Sequence, residues 1–492
     1  MALPTLLYSA TQVRALDAHA IDELGIAGYT LMKRAGEAAL RYLRTRWPTA
    51  HRLVIVCGSG NNGGDGYVLA RFARAAGLTV SVLGVGPVSA LRGDARQAYQ
   101  DWLASGGEVQ PFTAERLSSG ELIVDAILGT GMRGGVREDS AHVIRAINTQ
   151  ELPVFSLDVP SGLNPDTGAA SGEVVRAEAT VTFAGLKTGL FVGDGPEFSG
   201  SVFFDDLELT ATQPPGLTPV LTRIVETEIH EALPRRARAA NKGDFGRVLI
   251  VGSGAGMPGA VRLAGEACLR AGAGLVTVAV APENVAAIAA GRPELICLGL
   301  DGEQVLREAM QRVDVIAVGP GLGRGGWASR ALASVLGAGK PLVVDADALN
   351  LLAEEGVTPQ DNWILTPHPG EAGRLLGVSA QEVQRDRLGA LARLVERCHG
   401  TVVLKGAGTL VGSVGRTPAL CERGNPGMAS AGMGDVLTGA IAGILAQCGD
   451  PWRAARVGVL VHAMAGDAAA RGGERGLLAG DVARELQRCV NL

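Results

Sequence analysis

Short runs of Val, Ile and Leu recur along the chain, each closing on a glycine or an acid and each followed by a longer, polar-faced stretch. RLVIVCG, LTVSVLGVG, LIVDAILG, LPVFSLDVP and ATVTFAG form a first series. RVLIVGSG, GLVTVAVAP, VDVIAVGPG, KPLVVDAD, NWILTPHP and TVVLKGAG form a second. A strand with one wet face alternates apolar and polar residues, whereas a strand that is apolar throughout has to be covered on both faces. Segments such as RQAYQDWLAS and EACLRAGA supply that cover, so the pattern predicts α/β architecture with parallel sheets. At 492 residues the chain is too long for one hydrophobic core. The stretch TATQPPGLTPVLTRI (210–224), with three prolines and no helical period, separates the two series. The boundary is placed near 214–222, giving domains 1–215 and 222–492.

Composition narrows the function classes. A hydrophobic content of 47% with 19% charged residues describes a water-soluble globular protein, and a net charge of −5 offers no footprint for nucleic acid or an anionic membrane surface. The 70 glycines cluster after the apolar runs, where strand-to-helix turns are expected. Seven scattered cysteines without a CxxC pair predict reduced thiols and a cytoplasmic protein. The opening MALPTLLYSATQVRALD has neither the basic start nor the long apolar core of a secretory signal, and no run approaches a membrane span.

The first glycine turn, GSGNNGGDG (58–66), satisfies GxGxxG and raises the question of a Rossmann dinucleotide site. Such a site calls for an acid at the end of the second strand, and LTVSVLGVG ends in glycines. What remains is Asn61, Asn62 and Asp65 at the entry to the helical YVLARFARAAG. Backbone N–H groups there favour an anion, and the side-chain oxygens suit a cation. Helix capping and turn formation alone would use the same residues. Further acids and hydroxyls follow other strands: Asp125 in VDAILGTGMRGG, Asp158 and Ser161 in FSLDVPSGLNPDTG, and Lys187 in TFAGLKTGL. Open α/β sheets bind ligands at those carboxyl ends.

Taken in order, NNGGDG, VDAxxGTG, LDxPSGL and TFAxxKxGL resemble the N-terminal epimerase domain of the bifunctional NAD(P)H-hydrate repair enzymes, over residues 8–213. The resemblance implies a Rossmann-like three-layer sandwich. It implies substrate contacts from Asn61, Asn62, Gly63, Gly64 and Asp65, and from Gly129, Thr130, Gly131, Met132, Arg133, Gly134 and Gly135, together with Asp158. It also implies a potassium ion on Asn62, Asp125 and Ser161, and catalysis by Asp158 with Lys187 as partner.

In the second half, GNPGMASAGMGDVLTGAIAGILA (424–446) runs a glycine-rich loop straight into an apolar helix with Asp435 at its start. Amides there can steady a transferring phosphoryl group, and Asp435 can take a proton from a hydroxyl. An N-cap role for Asp435 is the plainer alternative. VVLKGAGTLVG (402–412) offers Lys405 in a strand–turn–strand, DADALN holds Asp345 and Asp347, and TPHPGE sets His368 and Glu371 at a helix start. GPGLG (319–323) is a further glycine turn, and there is no GxxxxGK[ST], so the phosphate chemistry is not of P-loop type.

These motifs resemble the ribokinase-like three-layer α/β fold and, within it, the ADP-dependent NAD(P)H-hydrate dehydratase domain, over about residues 225–489. Met433 and His368 depart from the sugar-kinase patterns GAGD and NxxE. The resemblance implies ADP contacts from Lys405, Gly406, Ala407, Gly408 and Thr409, and from Asn425, Pro426, Gly427, Met428, Ala429, Ser430, Ala431, Gly432, Met433 and Gly434. Ala260, Gly321, Leu322, His368 and Asp435 would line the hydrate pocket, and Glu371 would sit near magnesium. The implied pathway epimerises hydrated NADH or NADPH in the first domain. The second dehydrates one epimer with ADP as phosphoryl donor, yielding AMP and phosphate. A homo-oligomer is expected by analogy. The alternatives are an ATP-dependent small-molecule kinase with an N-terminal binding domain, and an NAD dehydrogenase, which the missing second-strand acid opposes.

Overall fold

The computed structural model describes residues 3–131, 135–209, 214, 216–356 and 360–491. The chain divides into two compact units, Met1–Leu221 and Thr222–Leu492. Residue 215, which ends the first expected domain, lies outside the described residues.

In the first unit the main sheet runs Val109–Pro111, Thr79–Gly84, Arg52–Cys57, Leu122–Ala126, Val154–Leu157, Ala179–Phe183, Ser201–Asp205, all parallel. The strand order is therefore third, second, first, fourth and onward. The chain reverses direction across the sheet between Arg52–Cys57 and Leu122–Ala126, which opens a crevice at their carboxyl ends. Side chains alternate between the two faces of a strand. Leu53, Ile55 and Cys57 pack with the helices Gly28–Arg46 and Asn61–Ala75, while Val54 and Val56 pack with the helix Glu138–Asn148 on the other side. Both faces are covered, which is why these strands carry no polar alternation.

The second unit repeats this order from its own strands. Ile296–Gly299, Leu275–Val280, Arg247–Val251, Val315–Val318, Leu342–Val344, Trp363–Leu365 and Thr401–Leu404 lie parallel. The hairpin Thr409–Gly412 and Ala419–Cys421 then continues the sheet antiparallel. One face packs on the helices Pro258–Arg270, Met433–Cys448 and Pro451–Ala469. Among the described residues no helix is long and apolar enough to cross a membrane.

One local expectation changes. The helix after the first strand starts at Asn61, so NNGGDG forms its first turns rather than a loop before it. Glycine weakens a helix by about 1 kcal/mol relative to alanine, and here the loss serves close approach. A Cβ on Gly63 would stand 2.0 Å from the Gly58 carbonyl oxygen, and one on Gly66 would stand 2.7 Å from both Cys57 Sγ and Ala126 Cβ. We expect Gly63→Ala to cost about 1–3 kcal/mol, because backbone rather than a mobile side chain has to yield. A urea-denaturation midpoint that matches the wild type would refute this.

Candidate functional site

Each unit gathers charged side chains at the carboxyl ends of its parallel strands. In the first unit the strand Val154–Leu157 ends at Asp158, whose φ of 66° is left-handed and uncommon for a residue with a side chain. Its N–H donates to the Val181 carbonyl at 2.7 Å, which fixes the bend. The Asp158 carboxylate receives the Lys187 ammonium at 2.5 Å and the Thr130 N–H at 3.3 Å. Lys187 is 1% exposed and also donates to the Phe183 carbonyl at 2.6 Å. A Cβ on Gly129 would stand 3.2 Å from Asp158 Oδ2 and 3.3 Å from Asn62 Cβ, so the three expected segments do converge.

Beneath them Asp125 is fully buried. It accepts from Ser161 Oγ at 2.5 Å, Ser161 N–H at 2.8 Å, Ser156 Oγ at 2.9 Å and Ile127 N–H at 3.2 Å. Burial raises its carboxyl above the usual range, against those hydrogen bonds. The Leu128 carbonyl accepts from Asn62 Nδ2 at 2.9 Å and from Ser161 Oγ at 3.2 Å, which ties Asn62, Ser161 and Asp125 into one cluster. Asn62 Oδ1 is buried without a hydrogen-bond partner. An orphaned carbonyl oxygen beside a buried carboxylate and a hydroxyl is a hard-oxygen set that suits an alkali cation.

A cavity of about 1350 Å³ joins Asn61, Asn62, Asp65, Gly129, Thr130, Asp158 and Lys187. Met132, Arg133 and Gly134 lie outside the described residues. Two acids here matter beyond the motifs. Asp65 is held well above the usual carboxylate range by burial, then by Asp158 and Asp17, with Lys187 opposing. Asp17, on the N-terminal helix Ala10–Asp22, lines the same cavity and is raised to about 6 by burial; Lys187 lowers it and Asp158 raises it. Asp17 escaped the sequence reading, because its helix carries no motif of its own.

In the second unit the hub is Asp345, 1% exposed, at the end of the strand Leu342–Val344. It accepts from Lys405 Nζ at 2.6 Å and from Thr438 Oγ1 at 2.7 Å. Glu371 Oε2 lies 3.6 Å from the same ammonium. Burial draws Lys405 down, but Asp345, Glu371 and Asp435 together hold it above its ordinary value. Removing the ammonium would strand buried Asp345 without a counter-charge. We therefore expect Lys405→Met to destabilise the folded chain by about 3–5 kcal/mol in denaturant titrations without nucleotide, and a change below 1 kcal/mol would refute it.

Asp435 is half-buried in the first turn of the helix Met433–Cys448, whose cap Gly432 has φ 86°. A Cβ on neighbouring Gly434 would stand 3.4 Å from Lys405 Nζ and 3.6 Å from Asp345 Oδ2, so the glycine keeps the helix start open over the charge cluster. Burial, then Asp345, raises Asp435 to about 7; Lys405 opposes and Asp347 adds. Burial likewise raises Glu371 to about 7. His368 caps the helix Pro369–Leu376: its Nδ1 accepts from Gly370 N–H at 3.0 Å, and its backbone N–H donates to Glu371 Oε2 at 2.8 Å. Burial, Lys405 and Arg374 lower its pKa, with Asp345 opposing.

The segments expected to contact ADP include the hairpin that carries Lys405. Gly406 and Gly408 turn the hairpin at φ 142° and 64°. Buried Arg387 donates to the carbonyls of Leu404 at 3.2 Å, Lys405 at 3.4 Å and Gly408 at 3.2 Å from below. Asn425 caps the turn Pro426–Met428, and Ser430 Oγ donates to the Leu477 carbonyl at 3.2 Å. Gly321, at φ 57°, faces Ala260, with 3.0 Å between a Gly321 Cβ and that of Ala260. Leu322 is buried, and Gly323 N–H donates to Asp347 at 2.8 Å. Sequence reading noticed Asp345 but not its central place, since its partners lie 60 and 93 residues away.

Two α/β units with glycine loops and charged clusters at the carboxyl ends of their strands define a fused nucleotide-handling enzyme. Comparison with known proteins agrees. A family described as NAD(P)H-hydrate dehydratase matches residues 248–488, and one described as YjeF-related protein N-terminus matches residues 28–189. The chain is 47% identical to the bifunctional NAD(P)H-hydrate repair enzyme Nnr of Coxiella burnetii, over 99% of this chain and 100% of that one. It is 43% identical to the Escherichia coli protein of the same name, over 100% and 95%. Among solved structures, a ribokinase-like superfamily protein of Enterococcus faecalis matches at 29% identity and TM-score 0.52, covering 56% of this chain and 98% of its own. The ADP/ATP-dependent NAD(P)H-hydrate dehydratase of Bacillus subtilis, co-crystallized with ATP and Mg2+, matches at 29% and 0.50, covering 54% and 96%. The chain belongs to the family of bifunctional NAD(P)H-hydrate repair enzymes, and the kinase and dehydrogenase alternatives are not favoured.

Proposed function

We propose that the chain restores hydrated NAD(P)H in two steps, with the N-terminal unit interconverting the two epimers and the C-terminal unit dehydrating one of them with ADP. The observation that carries the residue assignment is the Asp345–Lys405–Glu371 cluster beneath the helix start that bears Asp435. Hydroxide leaves carbon poorly and phosphate leaves well, so a phosphoryl-transfer fold can drive a dehydration. Asp435 takes the proton of the ring hydroxyl as that oxygen attacks the terminal phosphorus of ADP and AMP departs. The unsatisfied N–H groups of the first helical turn and the Lys405 ammonium stabilise the charge on the migrating phosphoryl group. Loss of phosphate, with a proton from the adjacent carbon, then restores the double bond.

In the N-terminal unit we assign proton handling to Asp158, oriented by Lys187. Asn62, Asp125 and Ser161 would hold potassium, whose charge suits an anionic dinucleotide; the orphaned Asn62 Oδ1 supports this. Glu371 would hold magnesium together with nucleotide phosphates. Among the described residues no group of three or more His, Cys, Asp or Glu could hold a metal ion, and a magnesium that leans on phosphate oxygens needs few protein carboxylates. Seven free cysteines fit a cytoplasmic setting, and we expect a homo-oligomer, which light scattering would test. The deciding experiment supplies each epimer of hydrated NADH separately with ADP and magnesium and follows recovery of reduced-nicotinamide absorbance. Recovery from both epimers supports the reading, and absence of recovery from either refutes it.

A further inference from the structure

We propose that Asp17 is a second catalytic acid of the N-terminal site, working with Asp158 on the hydroxyl of the substrate ring. The inference rests on the assignment of Asp158 and Lys187 to epimerisation. The placement of Asp17 is built, not incidental. The strand Leu6–Tyr8 pairs in parallel with Leu186–Lys187, with Tyr8 opposite Lys187, and Thr188 Oγ1 donates to the Tyr8 carbonyl at 3.0 Å. The helix that follows is started by a Ser9–Gln12 capping box, and Ala10 N–H donates to Asp166 at 2.6 Å. Val13 and Leu16 are buried against Gly185, whose Cβ would meet them at 3.2 and 3.3 Å. That docking turns Arg14 and Asp17, three residues apart, to the cavity. Arg14 Nη1 clasps the Thr130 carbonyl at 2.8 Å, on the loop whose N–H holds Asp158.

Asp158 is committed to the Lys187 ammonium, and Asp17 has no ion pair of its own among the described residues. A half-buried, unpaired carboxyl in mid-helix is costly unless chemistry uses it. The charged groups that face it are Lys187, Asp158 and Asp65, with Arg14 on its own helix.

Hydration of an enamine places the hydroxyl on the carbon beside the ring nitrogen. The protonated Asp17 carboxyl gives its proton to that hydroxyl. The C–O bond breaks as the nitrogen lone pair forms C=N⁺, and water leaves. Water then adds to the other face of the cation and gives a proton to the Asp158 carboxylate. Solvent returns a proton to Asp17 and takes one from Asp158, which closes the balance.

The test uses the full-length enzyme with the epimer that the dehydratase does not accept directly, coupled to its own dehydration. Asp17→Asn should lower kcat for epimerisation on the order of 100-fold with KM little changed. Recovery from the directly accepted epimer should remain intact, which also reports a folded chain. Because the acid form is required, the wild-type rate should fall as pH rises through about 6, and that limb should vanish in Asp17→Asn and return in Asp17→Glu. A kcat within threefold of wild type, a loss confined to KM, or removal of the limb by Asp65→Asn instead would overturn the proposal. Asp158→Asn run in parallel separates the two ideas: if it too leaves epimerisation intact, the site assignment itself has failed.

Discussion

Asp435→Asn is expected to abolish recovery of NAD(P)H from either epimer, with kcat lowered on the order of 10³-fold and ADP still bound. Asparagine keeps the volume of the residue, which caps no helix here, but cannot take a proton, so the variant isolates the chemical role. The dependence on pH has a definite sign. A base has to be ionised, and burial with Asp345 nearby holds Asp435 up at about 7. The wild-type dehydration rate should therefore rise roughly tenfold per pH unit below 7 and level off above it. If Asp435→Asn keeps more than a tenth of the activity, or the rate falls with rising pH over that range, another group strips the hydroxyl.

Asp158→Asn should separate the two activities within one chain. Recovery from the epimer that the C-terminal unit accepts should proceed at the wild-type rate, while recovery from the other should cease. The substitution also leaves Lys187, 1% exposed, without its ion-pair partner. A stability loss of about 3 kcal/mol should accompany it, visible as a lower melting temperature. Equal recovery from both epimers, after correction for spontaneous interconversion, would show that Asp158 is dispensable.

Much of this arrangement was legible in the chain itself. Uninterrupted apolar runs announced strands covered on both faces, and the acids that close them announced the edge where the charged clusters gather, because a parallel sheet presents all its carboxyl ends together. The missing acid after LTVSVLGVG correctly turned the first glycine motif away from a redox cofactor. Three features were hidden for identifiable reasons. The helix start at Asn61 breaks propensity, and tight packing of Gly63 and Gly66 overrides it. The centrality of Asp345 depends on partners on other strands and helices. Asp17 joins its site through pairing of Leu6–Tyr8 with a strand some 180 residues later, which no local pattern encodes. His368 illustrates the reverse case: its side chain is engaged in capping the helix it starts, and a place in the pocket remains a proposal.

The guanidinium buried under the 404–408 hairpin bears on how any titration of this enzyme should be interpreted. Burial lowers Arg387 only to about 10, so it stays cationic well past neutrality and keeps its grip on the three carbonyls throughout. The hairpin, to which we assign nucleotide contacts, thus keeps these three hydrogen bonds while Asp435 changes state near 7, so Arg387 adds no limb to a pH curve taken around neutrality.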